Sequence, residues 1–492
     1  MLFNSYEFIF LFLPISFFVY FSLNKRGLIT ASKAWLILAS LFFYGWWNVF
    51  YLPLIIISVV FNYFLTTSII DSEKKTQTTL SKKTLFRFGL IFNIGLLCYF
   101  KYMDFFIENV NGVLSTQFDL LHLALPLAIS FFTLQQIAFL VDSYEGIVEE
   151  KNFIDYALFV VFFPQLIAGP IVHHKAMVPQ FLDTKNKVKN YKNVALGIFV
   201  FSIGLFKKVV IADTFSEWAT KGFDTAAKLT FLDGWVASLS YTYQLYFDFS
   251  GYTDMAIGAA LLFNIRLPQN FNSPYKATGM IDFWKRWHMT LTSFITTYIY
   301  TPIVRSFKKL NFHKAMLATI ITFLIAGLWH GASWMFVIFG GLHGVGIVIN
   351  HYWKKSWKKK LKVKIPKVLA WFITFNYVNL TLIFFRAKEW DDAIKVFEGM
   401  IGYNGFVLPV SLSNRLGFLK STGVEFDYLL ILHPRNILAI IFGFVITYFV
   451  KNSNEKSKSF VLSTKSALFC GVLLFISIIY FNRPSDFLYF DF

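Results

Sequence analysis

The sequence predicts an all-α polytopic integral membrane protein. Apolar stretches of about 20 residues, the length that spans a bilayer core, recur from one end of the chain to the other. Only 15% of the 492 residues are charged and 56% are hydrophobic, with a mean hydropathy of +0.55, whereas soluble domains carry about 25% charge. The lysines lie in loops between the apolar stretches. The length is therefore read as one membrane domain over residues 1–492, with a core at 120–355 and C-terminal helices over 366–492, and not as several soluble units. About 11–13 helices are expected at the usual length of a span.

The net charge of +18 points first to cytoplasmic loops under the positive-inside rule. Membrane lipids are the default partner of such loops, and no nucleic acid is expected. The two cysteines, Cys98 and Cys470, both lie in apolar segments; they form no disulfide framework, CxxC motif or metal spacing, so no metal is expected. The N-terminus lacks a basic region and a small-residue cleavage site, and reads as a retained first helix.

Residues 7–23 form the first span, followed by Lys25, Arg26 and Lys33. Residues 34–49 and 51–70 read as a hairpin hinged near Asn48–Pro53, and the next loop is basic again (Lys74, Lys75, Lys82, Lys83, Arg87). Both basic loops then face the cytoplasm and the N-terminus lies outside. Spans follow at 88–100 and 121–141, joined by a short interfacial piece. In Phe163–Pro170, two prolines and a glycine argue against a straight helix. Residues 153–172 are therefore expected to re-enter and return to the cytoplasmic side, with a Pro-kinked span as the alternative.

Residues 194–213 and 231–248 are further spans. Asp248 and Asp254, six residues apart, fall on different helical faces, and one of them is expected to cap a helix starting after Gly251. The Pro/Asn-rich stretch 264–275 is a loop. Asp282 and Arg286 have ion-pair spacing on a helix. His288 sits between aromatic and basic residues, where an interfacial histidine is the plain reading.

The chain is organised around Gly327-Leu328-Trp329-His330-Gly331-Ala332-Ser333-Trp334, inside an uncharged run from Ala315 to Asn350. That run is nearly twice the length of one crossing. It must fold back or break, with Gly331, Gly340 and Gly341 as the natural places. His330 then lies near the membrane interior or at a break opening on a water-lined cavity. Intramembrane ionisable groups are costly and read as functional by default; the bland alternative is a packing histidine bonded to a backbone carbonyl. Eight lysines between Lys354 and Lys367 form a lipid-facing cytoplasmic loop. Spans are read at 368–386, 436–450 and 466–482, with an amphipathic piece near Ala393–Met400.

Taken together, Met1–Ser5, Phe163–Pro170, Tyr246–Gly258, Asn270–Leu291, Gly327–Ser333 and Phe385–Ala387 resemble the membrane-bound O-acyltransferase (MBOAT) family. The likeness is to its bacterial branch of alginate and peptidoglycan O-acetylation membrane subunits, and it runs over roughly Met1–Gly402. The resemblance implies a ring of helices with re-entrant pieces around a central tunnel, in the bacterial cytoplasmic (inner) membrane. It carries the family's two functional histidines onto His330 and His288. It also implies acetyl-CoA as a cytoplasmic acyl donor substrate with no permanently bound cofactor, an extracytoplasmic polysaccharide (peptidoglycan or alginate-like) as acceptor, and a separate SGNH-hydrolase-like partner.

Acyl transfer to a hydroxyl needs a base at the acceptor proton and stabilisation of a developing oxyanion. Imidazole suits the first task, and away from water it rests neutral. His330 is therefore expected to be the general base. His288 is expected to orient the donor thioester or to donate to its carbonyl oxygen. Acyl transfer to a lipid or protein hydroxyl is the alternative. A proton-coupled transporter using His330 and Asp248 is disfavoured by the lack of an internal repeat.

Overall fold

The computed structural model describes residues 1–72, 80–148, 151–357, 360, 364–482 and 487–488. Among the described residues, seven helices are long and apolar enough to cross a membrane: Glu7–Lys25, Val49–Ser72, Lys82–Leu114, Tyr191–Thr225, Phe312–His330, Trp334–Lys355 and Lys367–Arg386. Three shorter apolar helices, Ile29–Gly45, Pro434–Phe449 and Thr464–Ile479, accompany them. The architecture is that of a polytopic all-α membrane protein. Strand structure among the described residues is confined to Phe406–Pro409 and Val424–Asp427, paired in parallel between the spans expected at 368–386 and 436–450.

At the centre stands the 32-residue helix Phe231–Leu262. At 1.5 Å per residue it is about 48 Å long. Every residue from Ser240 to Ala256 is buried. It crosses Tyr191–Thr225 at glycines facing glycines. A Cβ on Gly204 would lie 2.5 Å from the Gly251 carbonyl oxygen, and one on Gly258 2.6 Å from that of Gly197. The helix runs unbroken through Asp248, Gly251 and Asp254, so neither carboxylate caps a helix. Each is ion-paired across the glycine crossing instead: Asp248 with Lys208 at 2.8 Å and Asp254 with Lys207 at 2.6 Å. Lys208 also reaches Asp213 at 2.8 Å. Buried carboxylates need such partners, and the lysines one turn of sequence away from Gly204 supply them.

Two spans differ from expectation. The helix expected to end at residue 100 continues to Leu114, and the one expected from 121 begins at Ile129. Residues 116–126 have no regular structure. The Asp104 carboxylate pins them, accepting from the backbone N–H of Leu121 (2.7 Å) and His122 (3.0 Å), while Ser115 and His122 take left-handed conformations.

The expected break before Pro164 is present. Phe153–Val161 has 9 residues, about 13 Å, too short to cross. The chain turns at Phe162, forms the single turn Phe163–Leu166 and continues to the helix His174–Leu182. Every residue from Asp155 to Val172 is buried, as irregular backbone at membrane depth requires.

Charge orients the helices. Lys185–Lys192 lies against residue 264, where Asn264 Nδ2 donates to the carbonyls of Asn186 and Val188. Asn452, beside Lys451, donates to Asn272 and Ser273. With Lys308, Lys309, Lys314, Lys354 and Lys355, these segments put the cytoplasmic face at the start of Phe312–His330 and the end of Trp334–Lys355. Part of the lysine cluster (Lys358, Lys359, Lys362) and of the second basic loop (Lys74, Lys75) lies outside the described residues.

Candidate active site

His330 is the last residue of Phe312–His330, and the chain reverses over Gly331-Ala332-Ser333 into Trp334–Tyr352. Gly331 is needed for space: a Cβ there would lie 2.1 Å from the Phe336 ring. The Ser333 hydroxyl caps the returning helix by accepting from Met335 N–H at 3.2 Å. Gly340 and Gly341 do not break the chain. Gly340 faces Gly327 across the hairpin, and a Cβ on Gly340 would lie 2.2 Å from the Phe323 carbonyl oxygen, so glycine here permits close helix contact. The hairpin thus carries His330 to its tip, away from the basic face.

The end of that helix rests on a lysine. Lys101 Nζ donates to the carbonyls of Trp329 (2.7 Å) and His330 (3.0 Å), and the Tyr102 hydroxyl donates to that of Leu328 (2.8 Å). The last four carbonyls of a helix have no partner within it. Beside Lys101 a cavity of about 280 Å³ opens, lined by Asp104, Leu123, Leu125 and Gly331–Ser333 among others.

His288 approaches from the opposite side. The chain climbs along Trp334–Tyr352 from the basic face: Gly279 lies at Asn350, Trp284 at His343, and the His288 ring 6.5 Å from that of Trp329. His288 is 0% exposed, which removes the interfacial reading. Its backbone is left-handed, with φ of +42°, so the climb ends in a sharp turn into Met289–Ile295. Asn270 holds this turn. Its carbonyl accepts Met289 N–H (2.9 Å), and its Oδ1 accepts Thr290 N–H (3.2 Å) and Thr290 Oγ1–H (2.9 Å) and lies 3.0 Å from His288 Nδ1. Thr290 Oγ1 in turn accepts Ile171 N–H, tying the broken segment to the same point. The Asp282–Arg286 pair forms at 2.8 Å, below the climb.

The two histidines therefore meet around Trp329, whose ring stands 5.0 Å from that of His330. His330 lies within electrostatic reach of His288, Lys101 and His343. Its ring packs edge-to-face against Phe385 at 5.1 Å and Phe339 at 6.1 Å. Phe385 is held by its neighbour Arg386, which binds Asp224 through two nitrogens. Trp329 Nε1 and Asn270 Nδ2 are buried donors without a hydrogen-bond partner among the described residues. An unmet buried donor costs about 1–3 kcal/mol. A third buried histidine, His343, has both ring nitrogens engaged, by Trp284 Nε1 at 3.1 Å and Thr381 Oγ1 at 2.9 Å. Among the described residues no group of three His, Cys, Asp or Glu side chains could hold a metal.

Known proteins share this arrangement of sequence. The model of the MBOAT, membrane-bound O-acyltransferase, family matches residues 41–386. The peptidoglycan O-acetyltransferase of Helicobacter pylori is 46% identical over 527 residues, covering 100% of this chain and 98% of the relative. The chain belongs to the membrane-bound O-acyltransferase family. The probable alginate O-acetylase of Pseudomonas aeruginosa is 34% identical over 83% of this chain and 76% of its own length. The teichoic acid D-alanyltransferase of Bacillus subtilis is 27% identical over 53% of this chain and 69% of the relative. The protein is thus a multi-pass membrane protein of this family, and the matched region contains Lys101, Asn270, His288 and His330 and ends at Arg386.

Two of these residues escape sequence reasoning. Lys101 stands in an otherwise apolar stretch, Ile94–Tyr102, and the cost of a lysine at membrane depth is the signal that could have found it. Asn270 shares a short segment with Asn264 and Asn272, and nothing local separates it from them.

Proposed function

We propose that this MBOAT member is an O-acetyltransferase that takes an acetyl group from a cytoplasmic thioester, acetyl-CoA, and passes it through the membrane for O-acetylation of an extracytoplasmic polysaccharide. The observation that carries this reading is the meeting of His330 and His288 at Trp329. His330 arrives on a hairpin tip remote from the basic face, and His288 on a segment climbing from that face. A site reached from both sides suits a donor on one and an acceptor on the other. The 46% identity to a peptidoglycan O-acetyltransferase over the full chain supports a cell-wall glycan as the acceptor, ahead of an alginate-like one.

His330 is the general base in this reading. It accepts the proton of the attacking hydroxyl as the new C–O bond forms; the C–S bond then breaks and the thiolate leaves with that proton. The buried donor Trp329 Nε1 is of the type that stabilises a developing oxyanion. The lysine-rich face would attract the phosphates of the donor. Delivery to the polymer falls to a separate SGNH-hydrolase-like partner, docked on the extracytoplasmic side.

The test is the O-acetyl content of cell-wall and surface glycans in cells carrying the wild type or His330→Ala at matched membrane levels. Loss of acetate from one glycan is expected and names the acceptor. Unchanged acetate on every glycan would overturn the reading.

A further inference from the structure

We infer that Asn270 is a positioning residue that fixes the proton of His288 on Nδ1 and so leaves Nε2 as the proton-accepting nitrogen. The inference rests on the reading of this site as an acyl-transfer centre, but its first step is independent of it. An asparagine side chain can present either oxygen or nitrogen to a neighbour. Here the choice is forced. The atom facing His288 also receives the backbone N–H of Thr290 at 3.2 Å, and a backbone N–H can only donate. That atom is therefore the amide oxygen. It accepts from Thr290 Oγ1 as well, at 2.9 Å, and an oxygen that only accepts requires His288 Nδ1, 3.0 Å away, to carry the hydrogen. A neutral imidazole protonated on Nδ1 has its lone pair on Nε2. His288 then cannot donate to a carbonyl oxygen through Nε2. It acts as an acceptor, and a donating role for the neutral ring is excluded.

His343 supplies an internal contrast. The Trp284 indole N–H reaches His343 Nδ1 at 3.1 Å and can only donate, so Nδ1 there is bare and Nε2 carries the hydrogen toward Thr381 Oγ1, 2.9 Å away. Thr381 passes its own proton to the Val378 carbonyl at 2.8 Å. Two buried histidines in one molecule thus hold opposite tautomers, one consumed by packing and the other set to accept. The left-handed turn at His288 matters for the same reason. It brings Met289 N–H onto the Asn270 carbonyl, so one residue holds the backbone and the ring together.

The tautomer is read by solid-state ¹⁵N spectroscopy of histidine-labelled full-length protein in lipid, with His288 assigned by difference from His288→Gln. The expected wild-type spectrum has His288 protonated on Nδ1; protonation on Nε2 would overturn the inference, whatever the activity. In Asn270→Leu, similar in size but with no acceptor, the Nδ1–H signal of His288 should give way to a mixture, and acetyl transfer should fall by at least ~10-fold through kcat with KM little changed. Asn270→Asp, which keeps the accepting oxygens, should retain the tautomer and recover part of the rate. An unaltered rate in Asn270→Leu would also overturn it. Wild-type protein that transfers no acetyl group would refute the proposed function while leaving the tautomer assignment standing. If Asn270→Leu does not accumulate, the wild-type spectrum decides alone.

Discussion

Lys101 Nζ sits 3.0 Å from the carbonyl oxygen of His330 and 2.7 Å from that of Trp329. The proposed base is thus held from beneath by a lysine on a different helix. Lys101→Met would leave these carbonyls without that donor and free the hairpin tip. A buried acceptor left unmet costs about 1–3 kcal/mol, so acetyl transfer should drop by roughly 10-fold or more at matched protein levels. Lys101→Arg keeps a long donor and should retain more. Glycan O-acetate in the two strains measures the difference.

His330→Ala should lose about 10²–10⁴-fold in rate, the range typical of general base catalysis, while membrane abundance stays near wild type. Abundance should hold because the ring is bounded mainly by Phe339, Phe385 and Trp329, which can close in on the space it leaves. Purified protein assayed for thioester consumption provides the check.

The glycine crossing of Tyr191–Thr225 and Phe231–Leu262 has no room for a methyl group. Gly258→Ala would place a carbon 2.6 Å from both the Gly197 carbonyl oxygen and the Phe201 backbone nitrogen, and overpacking of this kind costs about 1–3 kcal/mol. Gly95→Ala is the control: a Cβ there meets nothing within 4 Å, and helix propensity favours alanine by about 1 kcal/mol. The melting temperatures in detergent should move in opposite directions.

Lys208 holds two buried carboxylates, Asp248 and Asp213, at 2.8 Å each. Lys208→Met strands both. Breaking a buried pair on one side costs about 3–5 kcal/mol, so the variant should scarcely accumulate. Lys208→Met combined with Asp248→Asn should recover part of the loss, as judged by membrane abundance. A double variant no better than the single one would show that the charges are not what holds the crossing.

Much of the fold was legible in the chain because membrane depth is written in runs of apolar residues. The hairpin at Asn48–Pro53, the broken segment at Pro164, the turn at Gly331 and the amphipathic helix ending at Met400 all stand where composition places them. The unbroken helix through Gly251 did not announce itself. Gly-rich, acidic sequence reads as a terminus when viewed locally, and only the facing Gly204 and the lysines beside it turn the same residues into a crossing. The site divides the same way. His330 and His288 stand out by residue type and motif, whereas Lys101 and Asn270 act on atoms 228 and 18 residues distant, and no local pattern encodes such a contact.

The double engagement of His343 has a practical consequence for genetics. His343→Ala would strand Trp284 N–H in the interior, and the protein should be cleared from the membrane before it can be inactive. A histidine scan scored by missing product alone would then count three essential residues here. Scored by product per molecule of surviving protein, it should count two.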